Sequence, residues 1–222
     1  MTPATARKLY GLAVVIVVIC WAAIAHYGSA GHGSATLNAA LGVAPIALFL
    51  AIFLWRLPSR IGILAGALAG AALLAWLWPQ LQENVPLLYY LQHLGAHLAL
   101  GTLFGRTLFG NGEALATRMA RTIFGDQLSA RKIRYTRQVT IFWACFFFGN
   151  ALLSTGLFLF APPAVWSVHA NLLTWPLVGL MFATEHVWRR QVLPPEERPS
   201  LAAIINAFRR LDRRQGSAAP PP

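Results

Sequence analysis

Carboxylates are scarce in this chain. Seven Asp and Glu stand against eighteen Lys and Arg in 222 residues, and charged residues of both signs make up only 11% of the sequence. A soluble domain carries roughly a quarter charged residues, so an ordinary water-exposed surface is excluded. Cysteine is nearly absent as well. Cys20 and Cys145 both lie inside apolar runs, and neither belongs to a CxxC or CxxxC pair. A disulfide framework or a cysteine-based zinc site therefore has no support, and both thiols read as buried small hydrophobes. Placed catalytic signatures are also missing: HExxH, HxxxxD, a serine nucleophile elbow, a P-loop and GxGxxG do not occur. Acyl transfer by a known pattern is thus unsupported.

What the chain does have is apolar residues, at 57%, in long runs that recur along its whole length. About 20 apolar residues cross a bilayer as a helix. The runs predict six spans, at 9–27, 37–55, 61–78, 86–104, 139–160 and 171–188. The first could be a cleaved signal peptide, with small residues at Ala23, Ala25 and Ala30, but its apolar stretch exceeds a usual signal core, and it reads as a retained span. The connections GSAGHGSAT, PQLQENV and APPAVWSVHA contain no Lys or Arg, and Trp166 in the last of them suits a membrane interface. Every Lys and Arg falls at the N-terminus, in the 56–60 and 105–138 connections, or after Trp188. Positive residues stay on the cytoplasmic side, which puts both termini inside and predicts a multi-pass membrane protein. Orientation and attraction to anionic lipid account for the net charge of +11, and no nucleic-acid partner is invoked.

The expected fold is all-α: a six-helix transmembrane bundle over 1–198 with a cytoplasmic basic elbow at 105–138, an amphipathic surface helix at 199–214 and a disordered tail at 215–222. In the elbow Asn111 is the expected N-cap of a first helix, Gly125 its stop, and Ser129 the cap of a second helix that runs into span five. Ser200 is the expected cap of the surface helix, with Leu201, Ile204, Ile205, Phe208 and Leu211 on one face. In span three, Gly62, Gly66 and Gly70 recur at four-residue spacing and predict close packing against a neighbouring helix.

Three groups of residues are candidates for function. The first is an intramembrane polar cluster. Gln92, His93 and His97 share one face of span four, and intramembrane polar side chains turn inward to protein or a water-filled cavity. Asn150, Ser154 or backbone are the expected hydrogen-bond partners. A substrate or proton path is one alternative, and a metal or haem held by His93 and His97 another. No cofactor is predicted, because His26, His32 and His169 belong to the exported end and the ligand set is incomplete. The second group is Glu185 with His186 near the inner boundary, where Glu185 stands one turn before Arg189 and is expected to pair with it. The third is the basic surface of the elbow: Arg118, Arg121, Arg131, Lys132, Arg134 and Arg137. It suits anionic membrane lipid, or an acidic cytosolic partner such as an acyl carrier protein.

The second half of the chain resembles a family of uncharacterised bacterial inner-membrane proteins encoded near acyl-carrier-protein-dependent genes for aryl-polyene and xanthomonadin-type pigments. The likeness is carried by Tyr135-Thr136-Arg137-Gln138-Val139-Thr140, Phe146-Phe147, Trp166-Ser167, Ala170-Asn171, Pro176-Leu177, Met181-Phe182, Glu185, Arg189-Arg190 and Leu193-Pro194. The resemblance implies lipid or polyketide-like biosynthesis at the inner membrane and supplies no catalytic residue. Three functions follow as expectations. The first is a non-enzymatic component that organises or recruits such biosynthesis. The second is a small lipid or solute transporter using the Gln92, His93 and His97 face, and the third a metal- or haem-dependent membrane enzyme.

Overall fold

A computed structural model describes residues 3–110, 112–125 and 128–198. Among them the regular structure is helical throughout. The order is α1 (Pro3–Ser29), α2 (Ala35–Trp55), α3 (Arg60–Glu83), α4 (Val85–Gly105), α5 (Leu115–Phe124), α6 (Ala130–Phe160), α7 (Pro163–Ser167), a π-helical segment Val168–Leu173, and α8 (Thr174–Val192). The amphipathic helix expected at 199–214, its cap Ser200, the tail at 215–222 and the expected cap Asn111 lie outside the described residues.

Among the described residues, five helical runs are long and apolar enough to cross a membrane: Leu9–Ser29, Ala35–Trp55, Arg60–Glu83, Ala130–Phe160 and Pro163–Val192. The remaining expected span, α4, has the length, since 21 residues rise about 31 Å. It is not one of the five, because Tyr89, Tyr90, Gln92, His93 and His97 dilute its apolar character.

Three connections differ from expectation. The stretch 79–85 is almost wholly helical, with α3 continuing through Pro79 to Glu83 and only Asn84 between α3 and α4. The stretch 161–170 is mostly helix too: Pro163 occupies the first position of α7, where a missing N–H is tolerated, and the helix continues through the π segment into α8. Trp166, expected at an interface, is fully buried, and its Nε1 donates to Ser154 Oγ at 3.0 Å. Cys20 and Cys145, expected to be buried, are both exposed on their helices.

The chain divides into two compact units, one of Met1–Ala96 with Ala151–Leu177 and one of His97–Asn150 with Val178–Pro222. The first is centred on Ala25, Ala39, Val85, Tyr89, Tyr90, Trp166 and Ala170. In it α2 and α3 form a hairpin, with Ser59 Oγ accepting from Gly62 N at 3.2 Å to start α3. A side chain at Gly66 would collide with Leu54, and one at Gly70 would come within 3.0 Å of Leu50. The small-residue stripe of α3 is thus used for close packing inside the chain.

The second unit is built on one stripe of α6. Lys132, Tyr135, Thr136, Val139, Thr140, Trp143 and Phe147 are buried at steps of three and four, the helical period. Arg131, Arg134, Arg137 and Gln138 take the exposed positions between them. The stripe packs with Leu193, Phe104, Met181 and Trp188. Ser129 Oγ accepts from Lys132 N at 3.1 Å at the head of α6, as a cap should. Gly125 stops α5 with φ +80°, a conformation that glycine adopts without strain. The start of α5 uses threonines from elsewhere: Thr107 Oγ1 accepts from Leu115 N at 2.9 Å, and Thr140 Oγ1 from Ala116 N at 3.1 Å. Two orphan N–H groups of the first turn are satisfied this way.

Candidate functional site

Polar side chains in the first unit gather in a neutral network. Gln92 Nε2 donates to Gly42 O at 2.9 Å, and His93 Nε2 lies 3.0 Å from Thr174 Oγ1. The Thr174 hydroxyl donates its one proton to His169 O at 3.0 Å, so the Nε2 of His93 carries the proton in their shared bond. His93 and His169 stand edge to face with ring centroids 5.7 Å apart. The sequence assigns His169 to the exported end and away from His93. The helical path through 163–173 brings it back, and Thr174 N closes a π turn onto His169 O.

Beside them is a cluster not singled out from the sequence. Ser167 Oγ lies 2.7 Å from His26 Nδ1 and 2.8 Å from Ser29 Oγ, while Asn171 Nδ2 donates to Ser29 Oγ at 2.8 Å. A serine beside an imidazole is the geometry of a nucleophile and its base. Here, however, Ser167 is fully buried, and its proton has two other acceptors, Ser29 Oγ and His26 O at 3.0 Å. Ser29 in turn donates to Ala25 O at 2.6 Å. The cluster therefore closes as a hydrogen-bonded helix contact. Its one sequence signal is the i, i+4 spacing of Ser167 and Asn171 among apolar residues.

In the second unit His97 is buried, its ring 6.0 Å from that of Phe147. Asn150 Nδ2 bonds back to Phe146 O at 2.9 Å on its own helix, and Asn150 Oδ1 has no hydrogen-bond partner among the described residues. The expected pair at the end of α8 is present: Arg189 Nε donates to Glu185 Oε1 at 2.9 Å, and a second Arg189 nitrogen reaches Oε2. Tyr135 adds a third member, its hydroxyl donating to Glu185 Oε1. His186 is exposed. The Glu185 side chain is 11% exposed and that of Arg189 23%, so this charge pair is largely withdrawn from solvent. Among the described residues, no group of three or more His, Cys, Asp or Glu side chains is placed to hold a metal ion.

The basic surface divides into free and engaged cations. Arg118, Arg131, Arg134 and Arg137 are exposed, the last donating to Leu108 O at 3.2 Å. Lys132, expected on the surface, is buried with Nζ 2.9 Å above the centre of the Phe124 ring, a cation–π contact. Arg121 Nε binds both Glu113 oxygens, at 2.7 and 2.9 Å. The Arg121 hydrogen bonds hold the Glu113 carboxyl below its ordinary pKa, helped by the charges of Arg121 and Arg118. α5 is fixed to α6 through Thr117 and Thr136, whose hydroxyls lie 2.7 Å apart in the interior.

Helices of membrane-spanning length, with charge confined to connections and helix ends, fit a multi-pass membrane protein. No protein-family model, curated protein or solved structure matches the chain.

Proposed function

We propose that this chain is a six-span bacterial inner-membrane protein, both termini cytoplasmic, that acts without catalysis of its own to organise lipid or polyketide-like biosynthesis at the membrane. In this reading α4 is the sixth span, and α5 with the start of α6 forms a cytoplasmic docking platform. The observation that carries it is the set of four exposed arginines, Arg118, Arg131, Arg134 and Arg137, on helices tied together by the Thr117–Thr136 bond. Cations fixed on a rigid surface raise the encounter rate with an acidic partner and favour anionic lipid. An acyl carrier protein is the acidic partner that the resemblance suggests.

The test is binding of an acyl carrier protein to the full chain in zwitterionic-lipid nanodiscs. Wild-type binds at low salt and weakens as salt screens the charges. Changing Arg118, Arg131, Arg134 and Arg137 to Glu abolishes binding. Equal binding by the two proteins, or none by wild-type, overturns the platform. Arg121 and Lys132 are left unchanged because they hold Glu113 and Phe124.

A second reading, a proton or solute path, draws on the His93–His169 neighbour pair. Intramembrane imidazoles are functional candidates by default. Unchanged proton or solute flux through liposomes carrying a His93→Ala, His169→Ala variant removes it.

A further inference from the structure

The C-terminal half of α4, which belongs to the second unit, buries one side and exposes the next. His97, Gly101 and Gly105 are buried at four-residue steps, and a side chain at Gly101 would stand 2.9 Å from the Phe148 ring, so α6 closes this side. Leu98, Thr102 and Arg106 are exposed at the same steps, one residue further along the chain. With Ala99 and Leu103 they line a groove of about 490 Å³, within the range of small-molecule sites.

The lining grades from hydrocarbon to cation over about 12 Å, the rise from Leu98 to Arg106. Its charged member is Arg106. Among the described residues no carboxylate offsets that charge: Glu113 is held by Arg121, and Glu185 by Arg189. Thr102 stands one turn, about 6 Å, before Arg106, and its hydroxyl has no hydrogen-bond partner among the described residues. A guanidinium, then a hydroxyl, then aliphatic side chains match in order the phosphate, ester and acyl chain of a phospholipid. The lining holds no carboxylate to receive the choline or amine of a zwitterionic head, so it favours a head of net negative charge.

We propose that this groove binds one anionic phospholipid, its phosphate on Arg106, its ester beside Thr102 and its acyl chain along Leu98, Ala99 and Leu103. The assignment rests on α4 as a membrane span but uses none of the four platform arginines. Labelling of cysteines on either side of α4 reports the crossing and lipid retention reports the groove, so either can fail alone.

Native mass spectrometry of the purified full chain in detergent, titrated with phosphatidylglycerol or phosphatidylcholine of equal chain length, tests the assignment. Wild-type retains one phosphatidylglycerol in preference to phosphatidylcholine. Arg106→Gln, at an exposed position, reduces that preference about fivefold, since one arginine near an anionic headgroup is worth about 1 kcal/mol. Arg106→Lys keeps most of it. Ala99→Phe points outward from the helix contacts, fills the groove and lowers retention of both lipids. Arg60→Gln removes the same charge at an exposed position outside the groove and leaves the preference unchanged. Equal uptake of the two lipids by wild-type, an unchanged preference in Arg106→Gln, or an equal loss in Arg60→Gln overturns the proposal.

Discussion

Around Ser29 and Ser167 the buried polar groups are hydroxyls, an amide, an imidazole and backbone carbonyls, whereas around Glu185 they are a carboxylate and a guanidinium with a phenol between the helices. The first arrangement spreads several short neutral bonds over α1, α7 and the π segment, so no single atom carries much of the contact. The second concentrates it. Two side chains, those of Arg189 and Tyr135, depend on one carboxylate, and removing it leaves a largely buried cation without its counter-ion. The difference teaches that neutral networks tolerate local loss and that the ionic one does not.

The sharpest way to break the comparison is Trp166→Ala. Trp166 is fully buried and packs against Tyr90 and Phe158, so truncation costs about 3–5 kcal/mol, read as a lowered melting temperature in detergent. Trp166→Phe, which loses the bond to Ser154 and part of the ring but keeps an aromatic in the core, costs less. Glu185→Ala comes next, at about 2–3 kcal/mol for hydrogen bonds to charged groups. A Glu185→Leu, Arg189→Met double variant recovers most of that loss, because replacing a buried pair by apolar residues is close to neutral. Failure of the double variant to recover would show that the pair acts through more than its own neutralisation. Ser29→Ala, in the neutral network, costs only about 1 kcal/mol. A larger effect there than at Glu185 would reverse the ranking.

The smallest effect is at Glu113. Its carboxyl is held more acidic in the folded protein than in the unfolded chain, chiefly by Arg121. Its contribution is therefore complete above the ordinary carboxylate range and disappears as pH falls through the folded-state value. Melting curves of wild-type and Glu113→Gln differ slightly at neutral pH and converge in acid. A gap that widens in acid would contradict the assignment.

Much of this was legible from residue spacing. The Glu185–Arg189 spacing is that of a helical ion pair, and Ser129 and Gly125 act as the punctuation they resemble. What escaped were partners distant in sequence. Charge counting assigns Lys132 to the surface because it does not see the Phe124 ring of α5. Pro162 and Pro163 suggest a loop, yet a proline at a helix start has no N–H to lose, and Trp166 follows it into the core. Tyr135 joins Glu185 only through tertiary packing of α6 on α8. Gln92 and His93 are the reverse case: their inward turn follows from the dislike of hydrocarbon for polar groups, while Gly42 O and Thr174 as partners do not.

The central claim is that α4 crosses the membrane despite its polar face. On a background in which Cys20 and Cys145 are replaced by Ser, single cysteines at Asn84 and Gly112 flank α4 and can be labelled with a membrane-impermeant maleimide in intact cells and in inverted vesicles. The proposed topology predicts labelling of Asn84→Cys from outside and of Gly112→Cys from inside. Labelling of both from the same side would contradict it.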